Sequence, residues 1–184
     1  MLDELEWKTR KERIDKKLKA LKPGWHIIKY EEGTDTSTLL CHAVTEYPTE
    51  NGPADYAFFV KGKLLGILEA KKVSVNPQNV LEQAKRYSRG TSNGTGIWDG
   101  YRVPFLYSSN GEIIWFLDVR DSKNIRRQIS NFHTADALEE FSKDNKAHGF
   151  EWLKENPIDI EKLRYYQKEA IESTEKAIIQ HKRA

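Results

Sequence analysis

The 184-residue chain reads as an α/β fold, a central mixed β-sheet flanked by α-helices, on three observations. Short β-prone runs are punctuated by turn residues, helical periodicity stands before, between and after them, and a hydrophobic share of 38% with 11% aromatics supplies one core. The length suits one domain of ordinary size, or one with an appendage. No stretch approaches the roughly 18–20 uninterrupted apolar residues of a membrane span. The opening MLDELEWKTRKE is charged where a signal peptide needs an apolar segment, so a cytoplasmic chain with no membrane partner is expected.

Taken in order, Leu5, Trp7, Ile14, Leu18 and Leu21 recur near helical spacing from Asp3 to Leu21, and Pro23-Gly24 ends the pattern. Trp25–Tyr30 and Leu39–Val44 read as strands, with a polar loop between them. Asp55–Val60 and Leu64–Lys71 read as the arms of a hairpin closed by three residues, Lys61-Gly62-Lys63, with the glycine available for a positive φ. Asn76 before Pro77 is a helix start, with Asn as cap and Pro in the first turn, and the helix runs to Arg89. Residues 91–100 form a glycine-rich loop. Val103–Ser109 and Glu112–Val119 flank Asn110-Gly111, a strong hairpin signal, and the second, nearly all-apolar run is expected to be a buried central strand. Thr134 caps a short helix holding Ala137, Leu138 and Phe141; after the polar loop Asp144–Gly149 and a short segment ended by Pro157, Ile160–Ile179 returns to helical spacing.

The formal net charge of +2 conceals alternation: nine Lys/Arg against five Asp/Glu in residues 1–30, six acids and no bases in 31–60, seven bases against two acids in 61–91. An acidic block between basic ones suits a cation site bordered by an anion-binding surface, although a solvated mixed-charge surface has the same composition. The single Cys41 excludes an intramolecular disulfide and reads as a small buried residue. The five His share no ligand spacing, and Asn93-Gly94-Thr95-Gly96 lacks the Lys-Ser/Thr of a phosphate-binding loop. Trp98, Trp115 and Trp152 read as packing anchors.

Asp55, Glu69 and Lys71 carry the chemical signal, because two carboxylates and a lysine lie on the arms of one hairpin. Glu69 and Lys71 are two apart and share a strand face. With the three-residue loop Asp55 stands across from Glu69; with a two-residue loop it faces Leu68 and the carboxylates point to opposite faces, so a working site requires the longer loop or a bulge. Two ionised carboxylates at that separation repel unless a cation lies between them, and hard oxygens suit Mg²⁺. Lys71 on the same face would position or deprotonate a water, or neutralise charge on a phosphorus centre. The chemistry is that of a metal-dependent phosphodiester hydrolase; spacing alone fits an ordinary surface Glu/Lys pair somewhat better.

The neighbouring residues narrow this. Pro53-Ala54-Asp55, then Glu69-Ala70-Lys71 after thirteen residues, resembles the PD-(D/E)xK nuclease signature, and Gln83 with Tyr87 resembles the QxxxY element that follows it in the restriction (motor) subunits of type I restriction enzymes. Thr9-Arg10-Lys11-Glu12, Ile14-Asp15, Gly24-Trp25, Glu46-Tyr47-Pro48-Thr49, Pro104-Phe105-Leu106-Tyr107, Asn110-Gly111, Trp115-Phe116, and Leu163-Arg164-Tyr165-Tyr166-Gln167 with Ala170-Ile171 extend the resemblance in order along nearly the whole chain. Pro53 departs from it, standing where many relatives carry a basic residue.

The resemblance implies a restriction-endonuclease-like domain over residues 1–155, and over 156–184 a helical linker and the start of a superfamily 2 helicase motor cut short. It implies Asp55 and Glu69 as Mg²⁺ ligands with the Ala70 carbonyl as a third, and Lys71 as the catalytic lysine. Gln83 and Tyr87 would place DNA or support the site, and Lys72, Lys85, Arg86 and Arg89 would contact phosphates. Tyr87 equally fits an apolar stripe with Leu81 and Ala84, and Glu12 is a lesser candidate to approach the metal. No GxxxxGK[ST] occurs, so ATP would bind only in the motor of the full-length protein. The implied partners are double-stranded DNA and the methylation and specificity subunits of a restriction complex. A non-catalytic DNA-binding module and a subunit-docking domain with the same fold remain as alternatives.

Overall fold

The computed structural model describes residues 6–143, 160 and 162–181. The chain divides into two compact units, Met1–Ser142 and Lys143–Ala184. The expected boundary at 155/156, the loop at 144–149, Trp152 and Pro157 lie outside the described residues.

The first unit opens with α1 (Glu6–Thr9), a π-helical turn Arg10–Ile14, and α2 (Asp15–Ala20). Ile14 and Leu18, one helical turn apart, are wholly buried and bind this layer to the sheet, while most of the lysines stay in water. Seven strands follow: β1 (His26–Lys29), β2 (Cys41–Tyr47), β3 (Ala54–Val60), β4 (Lys63–Ala70), β5 (Phe105–Ser109), β6 (Ile114–Asp118) and β7 (Arg127–Ile129). They lie side by side in chain order, parallel at β1–β2 and β4–β5 and antiparallel elsewhere. Parallel β4 and β5 require a crossover, and α3 (Leu81–Arg89) supplies it after the 3₁₀ turn Pro77–Val80, in which the Asn76 side chain accepts from the Gln78 amide. α4 (Ala135–Lys143) is capped by Thr134, whose hydroxyl accepts from Ala137 N at 3.2 Å.

The sheet is buried on both faces, which explains why β4 is apolar along almost its whole length rather than alternating. On one face Tyr56, Phe58, Leu68, Phe105 and Tyr107 pack with Ile14, Leu18, Trp25 and Leu138; on the other Ala57, Phe59, Ile67 and Leu106 pack with Leu81 and Ala84 of α3. Each fully buried Leu, Ile or Phe contributes about 1.5–3 kcal/mol relative to exposure. In the second unit α5 (Tyr165–His181) begins where Gln167 Oε1 accepts from Arg164 N at 3.0 Å.

Both hairpin turns differ from expectation. Val60 pairs with Lys63, so the β3–β4 loop is the two residues Lys61 and Gly62, at φ 49° and 74°, the left-handed pair that a type I′ turn requires. That register alone would set Asp55 opposite Leu68. Between Phe58 and Phe59, however, the pairing slips by one residue: Phe59 faces Leu64 but Phe58 faces Gly66, and Leu65 is the extra residue of a β-bulge. In the second hairpin Ser109 pairs with Ile114, leaving a four-residue loop rather than Asn110-Gly111 alone. Asn110 Oδ1 closes it by accepting from the amides of Glu112 (3.1 Å) and Ile113 (2.9 Å), with Gly111 at φ 83°. β6 is the sixth strand of seven rather than the centre, because the short polar β7, unmarked by any apolar run, pairs beyond it. Cys41 is half-buried rather than buried, its thiol 3.6 Å from the Gly24 carbonyl oxygen, and partial burial raises its pKa. Among the described residues no helix is long and apolar enough to cross a membrane.

Candidate active site

The bulge assembles the site. Beyond it Ala57 opposes Ile67 and Tyr56 opposes Leu68, a register that, continued by one residue, sets Asp55 against Glu69. By strand alternation both then share the face of Ala57 and Ile67, the α3 side. Asp55 Oδ2 accepts the Ala70 amide at 2.7 Å, which clamps the end of β3 to the end of β4. Glu69 is 3% exposed, and its Oε1 accepts from Lys71 Nζ at 2.7 Å. Burial pushes the Glu69 carboxyl up to about 7; the Asp55 charge adds to this, while Lys71 opposes it.

Gln83 and Tyr87 stand one turn apart on α3, and the Gln83 side chain favours the ionised form of Tyr87. The Tyr87 pKa is raised by burial first, then by the fields of Glu69 and Asp55, so this ring lies within their electrostatic reach while its body packs on the α3-side core. One side chain thus packs on the core and feels the charge of both carboxylates. Lys72 follows Lys71 and is half-buried. Lys85 Nζ pairs with Glu82 at 2.7 Å, Arg86 is exposed while its carbonyl accepts from Asn51 Nδ2, and the Arg89 guanidinium lies 4.2 Å from the centre of the Tyr101 ring.

From the first helix the residue that reaches the site is Arg10, not Glu12. Glu12 is exposed and pairs with Lys16 Nζ at 2.6 Å. Arg10 Nη1 donates to Asp55 Oδ1 at 3.0 Å and to Glu46 Oε1 at 2.5 Å, and its guanidinium lies over the Tyr56 ring. Burial disfavours its charge, but the hydrogen bond to Glu46 and the field of Asp55 outweigh that, and the pKa is raised. Two local irregularities aim this pair. Arg10 begins the π-helical turn, and Glu46 sits at φ 55° where the β2–β3 ladder skips from Thr45–Tyr56 to Tyr47–Ala54. Arg10 and Glu46 both fall in stretches singled out from sequence, but nothing in their spacing, 36 residues apart, signals that they meet.

The donor set fits a hard divalent cation: two carboxylates and a backbone carbonyl at adjacent strand ends, with Glu69 buried against a like charge that a cation would relieve. Among the described residues no group of three or more His, Cys, Asp or Glu is placed to hold a metal ion.

The family profile described as the type I restriction enzyme EcoKI endonuclease subunit second domain matches residues 26–142, more than half of the chain. The curated type I restriction enzyme EcoKI endonuclease subunit of Escherichia coli (strain K12) is 27% identical over 215 aligned positions, covering 90% of this chain and 18% of that protein. Among solved structures, a fragment assigned as the HsdR subunit of a type I restriction enzyme from Vibrio vulnificus YJ016 aligns with a TM-score of 0.53 at 20% identity, over 98% of this chain and 33% of that one. That likeness speaks to the fold, a seven-stranded mixed sheet with flanking helices. The chain thus spans about a fifth of the curated relative and a third of the structural one.

Proposed function

The chain belongs to the family of the type I restriction enzyme EcoKI endonuclease subunit second domain, and from that premise we propose that it is a Mg²⁺-dependent nuclease domain that hydrolyses phosphodiester bonds of double-stranded DNA. The observation that carries the reading is the bulged β3–β4 hairpin, which sets Asp55, Glu69 and Lys71 together at one end of the sheet. Family membership in an endonuclease subunit supports the nuclease role.

In this reading Asp55, Glu69 and the Ala70 carbonyl would hold the metal, which when bound would supply a nucleophilic water and stabilise charge gathering on the phosphate. Asp55 is oriented by the Ala70 amide, and Glu69 by Lys71. Lys71, a cation beside the ligands, positions the attacking water or neutralises the phosphate oxygens. Gln83 and Tyr87 support the carboxylates from α3, while Lys72, Lys85, Arg86 and Arg89 contact DNA phosphates on either side. Residues 1–155 form the nuclease unit and 156–184 lead toward an ATP-driven motor of a longer cytoplasmic subunit, which works with methylation and specificity subunits; ATP binds that motor and not this chain.

In the full enzyme, Asp55→Asn, Glu69→Gln and Lys71→Ala should each lower cleavage of supercoiled plasmid by at least about 100-fold, with ATP hydrolysis unchanged. Normal cutting by any one variant removes that residue from the mechanism. DNA binding by the wild type without Mg²⁺-dependent nicking would instead favour a non-catalytic binding or docking domain.

A further inference from the structure

We infer that Arg10 is a positioning residue that stands in for the divalent cation at Asp55, and that Glu46 is the second acceptor toward which Arg10 withdraws when a metal binds. The inference rests on the metal site proposed above and adds residues that the site's own hairpin does not contain.

One guanidinium nitrogen joins both carboxylates, Glu46 at 2.5 Å and Asp55 at 3.0 Å, so Arg10 is already held more closely by the residue outside the hairpin. The other oxygen of Asp55 is committed to the Ala70 amide, which cannot move without breaking the end of β4. The guanidinium contact is therefore the adjustable one. Without metal, Arg10 offsets the charge of Asp55 and keeps it assembled beside buried Glu69. With a divalent cation on the same carboxylate, a guanidinium at 3.0 Å meets a like charge, and Glu46, 42% exposed at its side chain, offers it a place to go. The left-handed backbone at Glu46, costly for a residue other than Gly, Asn or Asp, is accounted for if its direction matters.

The test is Mn²⁺ titration of the chain by calorimetry, which reads affinity without reference to cleavage. Arg10→Gln should bind Mn²⁺ roughly fivefold more tightly and Glu46→Gln roughly fivefold more weakly. In the double variant the Glu46→Gln effect should vanish, because Glu46 acts only by holding Arg10. Purely additive effects, or an Arg10→Gln variant no tighter than wild type, would overturn the inference while leaving the metal site standing. Absence of any Mn²⁺ binding by the wild type would overturn both. If Arg10→Gln does not fold, Arg10→Met, unbranched and uncharged, serves the same cycle: Glu46→Gln should have no effect on Mn²⁺ affinity there, and a persisting effect would overturn the inference.

Discussion

Glu69 and His133 are both ionisable groups taken largely out of water on opposite faces of one sheet, and they are treated in opposite ways. His133 Nδ1 meets the hydroxyl of fully buried Tyr107 at 2.7 Å, its ring packs edge-on against Phe116 and Phe141, and burial lowers its pKa to about 4, so it is a neutral, satisfied member of the core. Glu69 is set beside a second carboxylate, and its charge is relieved only in part by Lys71. The contrast separates a polar group whose environment satisfies it from one kept under electrostatic stress, and such stress is commoner at binding and catalytic sites than elsewhere.

The largest expected effect follows from removing the stressed charge. Glu69→Gln should abolish cleavage yet raise the melting temperature of the metal-free chain at pH 8, measured by calorimetry in chelator; a fall in melting temperature would mean that Glu69 is a structural residue like His133. Conversely, His133→Ala leaves the Tyr107 hydroxyl unpaired and opens a void among Phe116 and Phe141, costing about 2–4 kcal/mol in urea unfolding, with cleavage retained at temperatures where the variant is folded.

The two groups also oppose each other in pH. Glu69 has a folded pKa of about 7 against an ordinary 4.5, so the folded state binds its proton more tightly; the stability it contributes is full below about 4.5 and is lost as pH rises through 7. His133 has a folded pKa of about 4 against 6.5, so its contribution is full above 6.5 and is lost as pH falls toward 4. Wild-type stability should therefore be nearly flat between pH 4.5 and 6.5 in chelator, whereas Glu69→Gln should unmask a rise with pH. By the same titration Mn²⁺ affinity should increase with pH up to about 7 and then level off.

The smallest contrast compares the two hairpin turns. Gly62 and Gly111 both have left-handed φ, but a Cβ on Gly62 would lie 2.6 Å from the backbone oxygen of Ser37, whereas on Gly111 it would meet the movable side chain of Arg13. Gly62→Ala should thus cost about 2 kcal/mol and Gly111→Ala about 1 kcal/mol by urea unfolding; equal costs would show that only the φ matters.

Much was legible without coordinates, for local physical reasons. Asn76-Pro77 and Thr134 mark helix starts through short-range capping; Ile14 and Leu18 declare a buried helix face; the β-prone run around Ile67 declares a strand. The candidate triad was readable because Glu69 and Lys71 are strand neighbours and Asp55 lies on the paired arm. The turn chemistry misled: Lys61-Gly62 forms the tighter loop, and Asn110 the wider one. Short β7 had no apolar pattern to betray it, since its pairing is made by backbone groups.

What the sequence determined by itself was the α/β class, the order of elements apart from β7, and the residue types of the candidate site, since periodicity and capping act within a few residues. Whether Asp55 and Glu69 meet was decided only in the tertiary structure, where packing both faces of β3 and β4 against helices selects the Leu65 bulge over a continuous ladder. The same packing brings Arg10 from one layer and Glu46 from a kinked strand to Asp55, a contact that no local rule encodes.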